Sequence, residues 1–321
     1  MVGEAALGAR AGLSGWKRST ADGAFTTVIR MTFTLIKGTF RIIGASPDGD
    51  SIRFYPTDPK AFAKAGLSVR LNSRGGAQLR LEGIDALETH YRPQARGSEM
   101  WHQPAELANA ASEALLRHLG FTAFERNDNG AVTASTPEEA PGHILTRFAD
   151  KYGRAVAFAF PGRRPGRSTD GGDVHLDPKA LQASANQALL TAGLVYPTFY
   201  SKLFPDLRQS MAEAAIAARN AKQGVWATDA TLEGLRVRSR EQLQEEAVLL
   251  PKLFRRLADY FELEESGGAS LGGFAEYLDT RDDRLFTVPD GHATELETLV
   301  EVRRQNIRLT VEPERIVFTE A

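Results

Sequence analysis

The sequence predicts an α+β protein: a small closed barrel of five strands carrying three helices, followed by a small C-terminal α+β unit. Three observations predict it. Apolar residues alternate with polar or small ones in five short runs before residue 161. Three segments of helical spacing follow or interrupt these runs, without the regular strand–helix alternation that a doubly wound parallel sheet requires. Past residue 228 a new apolar helical stripe begins, with strand-like runs after it. The expected organisation is a flexible leader over residues 1–31, a main domain over 32–228 and an accessory unit over 229–321.

Each element has its own signal. Phe33 and Leu35, then Phe40 and Ile42, alternate with polar or small neighbours, and Ile52 and Phe54 resume the pattern after the turn at Pro47-Asp48-Gly49. Leu79 and Leu81 flank Arg80 in a strand ending near Asp85. Pro104 opens a helix with Leu107, Ala108, Ala111, Leu115 and Leu119 on one face, and Gly120 closes it. Strands over 143–149 and 154–160 are joined by a turn through Lys151-Tyr152-Gly153. Asp177 caps a helix begun by Pro178 and expected to run to Gly193, and a third helix spans Pro205 to Gly224, followed by Trp226 as a core anchor. In the accessory unit, Leu250, Leu253, Phe254, Leu257 and Phe261 form one stripe, read as core rather than as a partner groove. That unit is large enough to fold alone, so a chain ending near Thr231 is expected to fold.

Composition narrows the function. The formal net charge is −2, so the whole chain carries no basic signature of a polyanion binder, although an enzyme gripping one phosphate needs only local positive charge. There are no cysteines, which excludes disulfides and thiolate metal sites. No apolar run approaches a membrane span, and the N-terminus lacks a secretory pattern, so a cytoplasmic location is expected, with Met31 an alternative start. The six histidines show no metalloprotease spacing, and no phosphate-cradling glycine motif is present.

Three clusters carry chemistry. Asp48-Gly49-Asp50-Ser51 is either a plain hairpin turn or a pair of carboxylates for a hard cation. The run from Arg80 to Glu88 is either a solvated strand with ordinary surface charges or an arginine suited to phosphate oxygens followed by two acids, Asp85 able to bind a metal and Glu88 to act as a general base. Asp150-Lys151-Tyr152-Gly153-Arg154 at a hairpin tip presents Arg154 to a phosphate, or is a solvated turn. The loop containing Arg163-Arg164-Pro165-Gly166-Arg167 is either simply solvated or a further candidate for holding substrate backbone.

Taken together, the order and spacing of DGDS, RLEGIDALE and DKYGR, with LLTAGLVY and a terminal GVW, resemble the staphylococcal nuclease (thermonuclease) family over residues 34–228. The resemblance implies an oligonucleotide-binding (OB-fold) barrel with three helices and Ca²⁺-dependent cleavage of DNA or RNA. It implies that Asp50 and Asp85 ligate Ca²⁺, with the Ala86 carbonyl as a third contact, and that Glu88 is the general base. Arg80 and Arg154 then bind the scissile phosphate, while Lys151 and Tyr152 contact a terminal phosphate. In-line attack by water would leave a 3′-phosphate and a 5′-hydroxyl. Leu87 stands where the family usually has proline, and Ser51 where it has threonine. The competing expectation is a non-catalytic module of the same kind that binds nucleic acid or protein.

Overall fold

Alternation puts one face of each early strand into a common interior, and the strands curl until the first and last meet. The computed structural model describes residues 31–95, 97–163, 168–263 and 270–320, together with the backbone of Gly15–Ser19 and Phe25–Ile29. The five barrel strands are β1 (Phe33–Arg41), β2 (Ser51–Pro56), β3 (Ala77–Leu81), β4 (Glu139–Ala149) and β5 (Ala155–Pro161). Their order is β1-β2-β3-β5-β4, and a β3–β5 parallel pair joins otherwise antiparallel neighbours. Pairing of β1 with β4, from Thr34 opposite Thr146 to Arg41 opposite Glu139, closes the barrel and leaves no free edge between them. Leu35, Phe40, Ile52, Phe54, Leu79, Leu145 and Phe158 fill it.

The helices mostly follow the sequence. Helix α1 covers Ala105–His118 with Ala108, Ala111, Leu115 and Leu116 buried, and Pro104 sits one position earlier than expected, as its N-cap. The single helix expected from Pro178 to Gly193 is broken. Asp177 caps only α2 (Pro178–Leu181), and a second start signal, the Ser184 hydroxyl accepting from Gln187 N–H, opens α3 (Ala185–Thr191). Helix α4 is Pro205–Asn220. The expected leader contains an antiparallel hairpin, Gly15–Ser19 against Phe25–Ile29. The break expected at Gly267-Gly268 lies outside the described residues, as do Arg164 to Arg167 of the basic loop.

The elements after residue 228 include α5 (Pro251–Leu263), α6 (Phe274–Asp279) and the strands β6 (Arg284–Thr287), β7 (Val300–Arg303), β8 (Asn306–Leu309) and β9 (Ile316–Phe318). The apolar stripe of α5 is buried, in a core that crosses residue 228. Leu253, Phe254, Leu257 and Phe261 pack in one cluster with Leu87, Trp101, Ala108, Tyr196, Val225 and Trp226. Strand β9 continues the union by pairing with the barrel-side segment Phe199–Tyr200, Val317 opposite Phe199. Among the described residues no helix is long and apolar enough to cross a membrane.

Candidate active site

The site begins with strand register. The turn Asp48-Gly49-Asp50 delivers the chain into β2, where Ser51 lies opposite Arg80 of β3 and Leu81 N–H donates to the Asp50 carbonyl at 2.8 Å. Glycine is required at 49 by close approach, since a Cβ there would lie 2.5 Å from Ala111 Cβ and 2.8 Å from Ala86 Cβ. Gly83, at φ +76°, then reverses the chain from β3 into the short strand Ile84–Asp85, paired with Tyr196–Pro197. The two turns thus bring Asp50, Arg80 and Asp85 to one end of the barrel.

Arg80 lies between the two aspartates, Nη1 3.8 Å from Asp50 and Nη2 3.8 Å from Asp85. The Asp85 side chain is 1% exposed. Burial raises the Asp50 pKa, and the adjacent Asp85 charge adds to the rise, which reaches about 8. Burial also works against the Asp85 charge, but Arg255 and Arg80 together hold its pKa below the ordinary value.

Glu88 sits on the loop between Asp85 and α1. Gln103 fixes its backbone from both sides: Gln103 Oε1 accepts from Glu88 N–H at 3.2 Å, and Gln103 N–H donates to the Glu88 carbonyl at 2.8 Å. Gln103 Nε2 in turn donates to the Leu249 carbonyl at 2.9 Å, which ties the loop to the C-terminal unit. Leu87 is fully buried in the shared core, so packing supplies the restraint that a proline ring would give. Burial raises the Glu88 pKa, with Arg255 opposing.

Arg154 belongs to the β4–β5 hairpin. Asp150 accepts from Arg154 N–H at 2.9 Å and from its Nε at 2.7 Å, so this guanidinium is aimed by its own turn. Asp50, Arg80, Glu88, Lys151, Tyr152 and Arg154 all border one cleft of about 690 Å³. Tyr152 is strongly exposed, its ring 5.6 Å from both Lys151 Nζ and the Arg154 guanidinium.

The opposite wall was not anticipated. Helix α5 contributes Lys252, Arg255 and Arg256 to the same cleft. Arg256 forms a two-pronged bond with Asp283 at 2.6 and 2.8 Å, and Lys252 approaches the same carboxylate at 2.9 Å. Arg255 instead reaches across to the barrel: Nη2 donates to Asp85 Oδ2 at 2.6 Å, Nη1 to Asp85 Oδ1 at 3.2 Å, and Nη1 also to Glu88. The only sequence signal for this was a basic polar face opposite the apolar stripe, and such faces are usually solvated.

Among the described residues, no group of three or more His, Cys, Asp or Glu is arranged to hold a metal ion. The donor chemistry nevertheless fits a hard divalent cation. Asp50 and Asp85 both lie 3.8 Å from the Arg80 guanidinium and offer carboxylate oxygens, the donors such a cation takes. Fold and site thus define an α+β barrel protein with a buried acid–guanidinium cluster at the mouth of a cleft. No family model matches the chain, and no curated protein matches it.

Proposed function

We propose that this protein is a Ca²⁺-dependent nuclease of the staphylococcal-nuclease type, with an oligonucleotide-binding barrel and DNA or RNA as substrate. One observation carries the reading: Asp50, Arg80, Glu88 and Arg154 border one cleft, and the buried Asp85 lies against it, 3.8 Å from Arg80.

The chemistry follows from charge. A phosphodiester is anionic and repels hydroxide, so its hydrolysis needs positive charge on the phosphate and a base for water. Asp50 and Asp85, with the Ala86 carbonyl, would hold Ca²⁺, which when bound supplies positive charge to a phosphate oxygen. Arg80 and Arg154 donate to the oxygens on which charge grows during attack. Glu88, shielded from solvent and with a raised pKa, accepts the proton of the attacking water. Lys151 and Tyr152, at the exposed hairpin, contact a neighbouring phosphate. The 5′ oxygen leaves in line, giving a 3′-phosphate and a 5′-hydroxyl.

The Arg255 bridge supports a second reading, a module that binds nucleic acid or protein without cutting it. While the bridge stands, one Glu88 oxygen is occupied and the guanidinium beside it makes Glu88 a weaker base. Labelled single-stranded DNA incubated with the full chain in Ca²⁺ or in chelator distinguishes the two. Cleavage only with Ca²⁺, leaving 5′-hydroxyl ends, is the expected result; intact substrate under both conditions would leave the binding module.

A further inference from the structure

Arg255 has no part in the chemistry above, yet it hydrogen-bonds the acids of the site. Its hydrogen-bond acceptors there are both oxygens of Asp85 and one of Glu88. We propose that Arg255 competes with the divalent cation for these carboxylates, so that a residue of the C-terminal helix sets the cation affinity of the barrel site. This rests on the reading of Asp50 and Asp85 as Ca²⁺ ligands.

The placement is built in rather than incidental. Helix α5 is held without Arg255: Leu253, Phe254, Leu257 and Phe261 are fully buried, and Arg256 and Lys252 anchor to Asp283. Asp259, one turn further along, accepts from Tyr91 Oη at 2.8 Å and from Gln94 N–H at 3.2 Å. These bonds clamp the helix to the loop that carries Glu88. Residue 255 is thereby fixed at the site, and an arginine there has the length and planar fork to bracket a carboxylate.

Charge then sets the sign of the effect. The carboxylates of Asp85 and Glu88 already face two guanidiniums, Arg80 and Arg255. A dication reaching Asp85 must either displace the guanidinium or sit beside it, and like charges at such separations repel strongly in a site closed from water. Both outcomes weaken cation binding. Arg80 borders the same aspartates but at 3.8 Å, and leaves their oxygens less occupied.

The test is calorimetric titration of CaCl₂ into the chelator-stripped full chain, comparing wild type with Arg255→Met and Arg255→Gln. Both variants keep most of the side-chain stem, and circular dichroism checks that each is folded. Each is expected to bind Ca²⁺ about tenfold tighter than wild type or better, and Asp85→Asn added to Arg255→Met should abolish the gain. Equal or weaker Ca²⁺ binding by either folded variant overturns the competition, even if the wild type cleaves DNA with Ca²⁺. No Ca²⁺ binding by any of the proteins overturns the metal assignment and the competition with it. Tighter binding without cleavage would uphold the competition and sink only the nuclease.

Discussion

Arg219, near the end of α4, forms a two-pronged ion pair with buried Glu314, at 2.8 and 2.6 Å across 95 residues of chain. It joins the last barrel-side helix to the turn before β9, and lies on the same seam as the core shared by Trp226 and Phe254.

Ending the chain near Thr231 therefore has a definite expected outcome. Arg219 would lose its partner, Phe199–Tyr200 its neighbouring strand, and Trp101 and Tyr196 their cover. Uncovering such large side chains costs about 1.5–3 kcal/mol each, against a total stability of about 5–15 kcal/mol. The fragment should be insoluble or should melt far below the full chain. A soluble fragment with an unchanged melting temperature would show that the shared core contributes little.

Arg80→Ala and Arg154→Ala should each lower Ca²⁺-dependent cleavage by about 10²–10³, the usual loss for one donor aimed at developing charge. Glu88→Gln should also be slow, because an amide cannot accept the proton of water. Single-turnover rates on single-stranded DNA provide the check, and wild-type rates in folded Arg80→Ala or Arg154→Ala would remove these groups from the mechanism.

Gln103→Leu tests the scaffold beneath Glu88. The substitution leaves the Glu88 N–H and the Leu249 carbonyl without their side-chain partner, at a cost of about 1–3 kcal/mol. We expect a lower melting temperature and a fall in turnover larger than any change in substrate affinity. Unaltered turnover would mean that Leu87 packing alone holds the loop.

Glu82 gives stability a pH dependence. Burial raises its carboxyl from the ordinary 4.5 to about 7, with Arg80, Arg147 and Lys202 opposing and Glu320 adding to the rise. Because the folded pKa is raised, the protonated form is favoured by folding. Its contribution is complete below about pH 4.5 and is lost as pH climbs through about 7, a difference of about 3 kcal/mol. Glu82→Gln should match wild type near pH 4.5 and exceed it at pH 8 in denaturant melts. Parallel pH profiles for the two proteins would contradict this.

What the sequence determined by itself is local. Period-two alternation marked Phe33 to Ile42, Ile52 to Phe54 and Leu79 to Leu81 as strands, because a strand half in the core must alternate. The acid and arginine clusters were visible because turns confine them to a few consecutive residues. The break at Ser184 escaped notice because Leu181, Ala185 and Leu189 keep helical spacing across it, and only the cap hydrogen bond ends one helix and starts the next. Tertiary structure decided what the C-terminal unit covers and where Arg255 points. Periodicity identifies an apolar face on α5 but not the surface that face will meet, so the polar residues beside it have no assigned neighbours until the helix docks. Burial of Leu253, Phe254, Leu257 and Phe261 against Leu87 and Trp101 drives that docking. Once that stripe is seated, Arg255 is carried to Asp85 and Glu88, 170 and 167 residues away in the chain.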